Sequence, residues 1–267
     1  MLKLYKKIKN SSNYNQVLAV QAMLYLTVVA TLLTAFNGVY LIFGLVLGWL
    51  LFCVGISVCL HKMVSHRSFT PKNKLIKYFL LWAGVQTTLG SPIGFAAGHR
   101  QHHSDSDGET DPFKLTSSLW HNTKLWFYHF DLKHINPRSI RDLTLDSDIK
   151  LVHNNYWKIW MIYPTVLLLI DPVYFAYFFA VPAVYGFLGM SYVTVIAHSP
   201  AWKKAFRGTA EYNDLDLSWD SKFFSILFAG EGYHHAHHCD PGMYDYGTMN
   251  SKFDFSGKLI SRLRSTN

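Results

Sequence analysis

Charge is scarce in this sequence. Asp, Glu, Lys and Arg make up 16% of its 267 residues, where a soluble domain carries about a quarter. Half of the residues are hydrophobic, which argues against an ordinary soluble globule. Cysteine is nearly absent too. The three present, Cys53, Cys59 and Cys239, form no C-x-x-C pair; that argues against a disulfide framework, a cysteine-rich structural zinc site or an iron–sulfur cluster, and fits a reducing compartment. Cys239 follows a histidine cluster but reads as a packing residue rather than a ligand. No glycine-rich flavin or nicotinamide fingerprint occurs. Repeats, low-complexity tracts and flexible linkers are also missing, so the chain reads as one domain over residues 1–267.

What is abundant is uncharged apolar sequence. Val17–Phe36 carries no charge over 20 residues, Gly38–Leu60 none over 23 and Pro172–Ala197 none over 26. Each meets the roughly 20 residues that a helix needs to cross a bilayer. A weaker span lies at about 152–170, where Lys158 can snorkel to the interface. The first run has the basic flank of a signal peptide (Lys3, Lys6, Lys7, Lys9), but it exceeds a signal core and a second span follows it. Turn pairs at Asn37-Gly38 and Asp171-Pro172 join the runs into two hairpins. The expected fold is therefore an all-α integral membrane protein with four transmembrane helices, at about 17–36, 38–60, 152–170 and 172–197.

Basic residues orient these hairpins. Residues 1–16 hold 4 Lys or Arg, residues 61–156 hold 12 and residues 199–267 hold 8, whereas the two turns hold none. The positive-inside rule puts those three regions, and both termini, in the cytoplasm. The net charge of +8 then reflects membrane topology and anionic lipid, with no nucleic acid partner. Both flanks of the apolar stretch 78–97 face the same side, so it cannot cross once; it reads as an interfacial or re-entrant helix.

Against this background the histidines stand out. Nine of the 14 fall in three clusters: His61 and His66; His99, His102 and His103; and His234, His235, His237 and His238. His198 stands alone at the end of the last apolar run. Neutral imidazole is a common metal ligand. Residues at i, i+3 and i+4 share a helix face, so His99, His102 and His103 can converge, as can His234, His237 and His238. His61 and His66, five apart, lie about 140 degrees round an ideal helix and both bind only if it ends or distorts between them. Eight or nine imidazoles without thiolate fit two six-coordinate ions, and a pair of irons activating dioxygen beside lipid is the natural reading: a His-rich cytoplasmic helical cap on the membrane helices.

At these residues the chain resembles the membrane fatty acyl desaturases, in particular the delta-9 acyl-CoA and acyl-lipid branch related to stearoyl-CoA desaturase. The resemblance rests on H-x-x-x-x-H at 61–66, on His99-Arg-Gln-His-His103 with Thr110-Asp111-Pro112, and on Gly230-Glu-Gly-Tyr-His-His-Ala-His-His238. It runs from about residue 15 to 245. It implies nine iron ligands: His61, His66, His99, His102, His103, His198, His234, His237 and His238. Three residues are expected behind the ligands. Glu231, read from its position beside the third box, either orients a ligand imidazole or caps the helix. His235, where the family has asparagine, would be a donor rather than a ligand. Thr194 replaces the family's asparagine four residues before the isolated histidine. Lys62 and Arg100 either meet an anionic acyl carrier or neutralise Asp105, Asp107 and Asp111. Trp126 is what remains of a head-group motif after the second box. His121, His129, His134 and His153 lack cluster spacing and read as surface or head-group contacts.

The implied activity is oxygen-dependent desaturation of a saturated fatty acyl chain, carried on CoA, carrier protein or lipid, at a histidine-ligated di-iron centre. Electrons would come from an external ferredoxin or cytochrome with its reductase, since no haem or flavin domain is fused. Two rivals remain: a His-box hydroxylase of lipids, sterols or alkanes, which its product would reveal, and a metal transporter, which needs mid-membrane ionisable groups that these spans lack.

Overall fold

The computed structural model describes residues 14–115, 135–209, 216–246 and 253–266. Helix α1 (Tyr14–Thr34) is followed by α2 (Gly38–Leu51), started by Asn37, whose side chain accepts from the Tyr40 N–H at 3.0 Å. Without a break α2 passes into Phe52–Ser65, which is wound as a π-helix with i→i+5 hydrogen bonds. Next come α3 (Lys74–Gln86), α4 (Pro92–Ser104), α5 (Ser147–Asn154) and α6 (Tyr156–Ile170). The run Pro172–Ile196, here α7, alternates α and π winding. Short helices α8 (Lys222–Leu227), α9 (His234–Cys239) and α10 (Phe255–Leu263) complete the chain. Among the described residues β-pairing is limited to isolated bridges.

Among the described residues, three runs are long and apolar enough to cross a membrane: Gln16–Thr34, Gly38–Ser65 and Pro172–Ile196. The expected span at 152–170 is shorter. Val152 and His153 belong to α5, which the Asp146 carboxylate caps, and α6 begins only at Tyr156. Its 15 residues rise about 23 Å at 1.5 Å each, against a hydrocarbon core of about 30 Å. Position in the bundle also differs. The apolar window of α7 is 83% buried and that of α1 17%, so α7 is the central helix and α1 a peripheral one. Leu26, Leu33, Phe36, Ile42, Phe43, Leu169 and Ile170 are exposed, an apolar exterior suited to lipid rather than water.

Small residues let α2 approach α7. A Cβ at Gly44 would strike the Tyr177 carbonyl oxygen, and one at Gly48 would lie 2.8 Å from Tyr185 Cβ. This is the four-residue spacing of small residues at which membrane helices pack backbone to backbone. Tyr177 also secures the first turn: its hydroxyl donates to the Ala35 carbonyl at 2.9 Å and accepts from the Asn37 N–H at 2.7 Å.

The stretch 78–97 is not the single helix that its hydropathy suggested. Thr88 and Gly90 take positive φ values of 60° and 94°, which ends α3. Ser91 then caps α4 by accepting from the Gly94 N–H, and Pro92 occupies its first turn. A stop followed at once by an N-cap and proline divides the segment in two. As a result the second histidine cluster sits at the C-terminal end of its own short helix, against the π-wound end of the second run.

Candidate metal centre

The three clusters and His198 converge into two adjacent groups. His61, His66, His99, His103 and His237 form one, and His102, His198, His234 and His238 the other; within each, the nitrogens lie within 4.8 Å of one another. The π winding brings His61 and His66 together. The His66 N–H donates to the His61 carbonyl five residues back, at 3.1 Å, so the chain turns through enough extra arc to put both rings in one group. On α4 the i, i+3, i+4 positions divide their loyalties: His99 and His103 face the first group while His102 faces the second.

In both groups the Nε2 atoms point at each other. The separations are 2.9 Å for His61–His237, 2.7 Å for His66–His99 and 2.8 Å for His103–His237. In the second group they are 2.9 Å for His198–His234, 3.2 Å for His234–His238 and 3.3 Å for His102–His238. Neutral imidazoles that turn lone pairs toward each other repel unless a cation lies between them. Adjacent ligands held 2.0–2.1 Å from one ion at a right angle lie about 2.9 Å apart. The separations in both groups therefore suit a shared ion.

The outer nitrogens explain why Nε2 carries the lone pair. His61 Nδ1 lies 2.9 Å from Glu231, His102 Nδ1 2.9 Å from Asp111, His198 Nδ1 2.9 Å from Asp107 and His238 Nδ1 2.8 Å from Asp216. His237 Nδ1 lies 3.0 Å from the Tyr246 hydroxyl. A carboxylate at Nδ1 keeps the proton there and leaves Nε2 free for metal. Electrostatics agree. Burial first, then the neighbouring imidazoles, holds His99, His103, His234, His237 and His238 well below the ordinary histidine value, and hence neutral. Burial pulls His102 the same way, but the Asp111 carboxylate outweighs it and raises that ring.

Backbone constraints place Glu231 under His61. Gly230 has a φ of 112°, and a Cβ on Gly232 would lie 2.6 Å from the Phe224 carbonyl carbon. Both glycines in Gly-Glu-Gly are thus required by the tight turn that leads into α9. Burial opposes ionisation of Glu231, but His61, Lys62 and Ser57 outweigh it and keep the carboxyl below its usual value.

The remaining expected residues fall elsewhere. His235 turns away from both groups: its Nδ1 lies 3.1 Å from Ser218 Oγ and its Nε2 3.6 Å from the exposed Cys239 Sγ. Thr194 donates to the Met190 carbonyl at 2.9 Å, within its own helix, because a threonine hydroxyl reaches back one turn where an asparagine amide reaches outward. Lys62 is not a head-group contact. It is fully buried, donates to Ser256 Oγ at 2.7 Å and lies 3.5 Å from Asp254. Arg100 meets none of Asp105, Asp107 and Asp111. It pairs with Asp142 at 2.6 Å and donates to the Ser65 carbonyl at 2.6 Å, tying α4 to the π-helix. His153 is buried beside Ser91 Oγ at 2.7 Å rather than on the surface. Trp126, His121, His129 and His134 lie outside the described residues.

Sequence reasoning missed Asp107, Asp111, Asp216 and Tyr246 as partners of the ligand rings. The acidic stretch after the second cluster was a signal for the first two. Asp216 and Tyr246 carry none, because they reach the site only through the fold.

A sequence profile described as "Fatty acid desaturase" matches residues 36–247, which include every histidine of the two groups. The chain is 29% identical to "sn-1 stearoyl-lipid 9-desaturase" of Anabaena variabilis, over 73% of this chain and 70% of that one. It is 26% identical to "Acyl-CoA C20 Delta5-desaturase" of Anemone leveillei, over 69% of this chain and 58% of that one. Against "Delta-9 acyl-lipid desaturase 2" of Arabidopsis thaliana it is 28% identical, over 69% of this chain and 59% of that one. The chain thus spans little more than half the length of several of the curated relatives it matches.

Proposed function

Because this chain belongs to the fatty acid desaturase family, we propose that it introduces a double bond into a saturated fatty acyl chain, at the delta-9 position as the name of the Anabaena variabilis relative suggests. The reaction consumes the acyl chain, dioxygen, two electrons and two protons, and yields the alkene and two waters. Two iron ions, one in each histidine group, would supply the oxidising chemistry. The observation that carries this reading is the pairing of two convergent Nε2 groups with carboxylates behind them.

The protein's part is geometry and exclusion of water. A narrow cavity lined by Ile56, Phe95, Met190 and Val193 opens onto His61, His99 and Glu231. Its free space is only about 10 Å³, room for a single methylene between apolar walls, and its polar edge belongs to the first histidine group. A carbon held there lies beside His61 and His99, and the carboxylate on the cavity wall, Glu231, is engaged by His61 Nδ1 at 2.9 Å. The same family assignment leaves the transporter reading without support.

The chain is a membrane protein, and the basic residues that flank its spans support a cytoplasmic site and cytoplasmic termini. Two electrons per turnover would then arrive from a soluble or membrane-bound ferredoxin or cytochrome system. The test is expression in a host that lacks unsaturated fatty acids, with lipid analysis by mass spectrometry. Monounsaturated acyl chains with the bond at carbon 9 are expected. Hydroxylated products, or none from iron-loaded protein supplied with a donor, would overturn the assignment.

A further inference from the structure

We propose that Tyr246 is a positioning residue for His237, and that Lys62, Asp254 and α10 hold it in place, so that the C-terminal segment closes the first histidine group. The inference rests on reading that group as a metal site. Tyr246, His237 and Lys62 lie within the family match, and Asp254, Ser256 and α10 lie beyond its end at residue 247.

His237 sits at the centre of its group, with Nε2 within 2.9 Å of His61 Nε2 and 2.8 Å of His103 Nε2. To offer Nε2 to an ion as a neutral ring it must keep its proton on Nδ1, and Nδ1 faces the Tyr246 hydroxyl at 3.0 Å. The phenol oxygen therefore accepts that N–H, as Glu231, Asp107, Asp111 and Asp216 do for their own rings. Tyr246 is 3% exposed, so no solvent competes for the bond.

Tyr246 is in turn held on two sides. Its backbone N–H donates to Asp254 Oδ2 at 2.7 Å, while Asp254 Oδ1 accepts from the Gly257 N–H at 2.8 Å and from Ser256 Oγ at 2.9 Å. The Lys62 ammonium lies over the Tyr246 ring, 3.9 Å from its centre, and donates to Ser256 Oγ at 2.7 Å. Lys62 adjoins His61 in the chain. One buried cation thus links the π-helix that bears a ligand to the segment that orients another. Further bonds fasten that segment at its far end: Ser265 N–H to the Thr70 carbonyl at 2.7 Å, and Lys72 N–H to the Leu263 carbonyl at 2.9 Å. A buried ammonium with an aromatic face, a hydroxyl and a carboxylate around it serves the site from behind rather than any ligand from outside.

The test uses the full-length protein in detergent, stripped of metal and titrated anaerobically with iron(II) against a chelator. Tyr246→Phe removes only the hydroxyl and keeps the ring beneath Lys62. One of the two sites is expected to weaken by roughly 10- to 100-fold, as for loss of other ring-orienting partners. The other site and the unfolding midpoint of the metal-free protein should match the parent. The double variant Lys62→Met with Asp254→Asn removes the buried charges together and should show the same one-site loss. Unchanged affinity at both sites in Tyr246→Phe overturns the proposal, as does equal weakening of both sites with a lowered midpoint, which would make Tyr246 merely structural. A parent protein that binds fewer than two irons overturns the di-iron reading instead, and this proposal with it.

Discussion

At the residue scale, the site is a problem of which nitrogen holds the proton. Four rings rest on carboxylates and one on a phenol, and three of the carboxylates serve the second group. Asp107→Asn exchanges the anion behind His198 for a neutral amide. Iron should bind roughly 10- to 100-fold more weakly, measured by chelator competition, and a variant with parental affinity would contradict the role. His235, facing Ser218 and Cys239, should tolerate replacement. His235→Asn is expected to keep both irons and most product, whereas His234→Ala loses metal and nearly all product. Metal analysis that shows the reverse would put the third cluster in the wrong register. Acid should act on the metal-free protein through the same rings. His99, His103, His234, His237 and His238 sit well below the ordinary value, so between those values and about 6.5 the unfolded chain binds more protons than the folded one. Stability is therefore lost as pH falls through about 6.5. His102, raised by Asp111, opposes this, its contribution being lost as pH rises, but it is one ring against six, since burial holds His66 low as well. The unfolding midpoint of metal-free protein should drop between about pH 7.5 and pH 5.5; a flat profile would show that the rings are not buried neutral.

At the element scale, two departures from ideal helix geometry build the centre. The π winding of Phe52–Ser65 gathers His61 and His66, and the break at Thr88–Ser91 gives the second cluster its own helix. Regular periodicity argued against the first and hydropathy hid the second. Both were visible as exceptions: a five-residue spacing that no α-helix satisfies, and a Gly-Ser-Pro run inside an apolar stretch. The α2–α7 contact is a sequence-local device with a testable cost. Gly48→Leu forces a side chain against Tyr185 Cβ and the backbone of Pro182, and overpacking of this kind costs about 1–3 kcal/mol. Thermal unfolding in detergent should report it, while Gly38→Ala, with only the end of the Phe36 ring nearby at 3.8 Å, should change little.

At the scale of the whole molecule, the two hairpins return every cluster to one end. That arrangement predicts accessibility. In intact cells a Phe36→Cys variant, whose position is exposed at the first turn, should react with an impermeant thiol reagent. Ser147→Cys, at the start of α5, should react only after the membrane is opened. Labelling of Ser147→Cys from outside would overturn the cytoplasmic placement. Turnover supplies a second test: purified iron-loaded protein given acyl substrate and oxygen should stay idle until a ferredoxin or cytochrome with its reductase is added.

The sequence alone determined the class of molecule and its histidine clusters. Long uncharged runs leave helices in a bilayer as the stable solution, since backbone groups in lipid must be satisfied within the segment. Imidazoles at i, i+3 and i+4 share a face whatever surrounds them. These are local properties, legible in a linear text. Only the tertiary structure decided how the nine rings divide between two groups, why His102 parts from His99 and His103, and which acids stand behind them. It also turned Lys62 and Arg100 inward, to Asp254 and Asp142. Those pairings join residues from nine (His102 and Asp111) to 192 (Lys62 and Asp254) positions apart. A buried charge or ring nitrogen takes whichever partner the packing brings within about 3 Å, and no spacing rule along the chain encodes that partner.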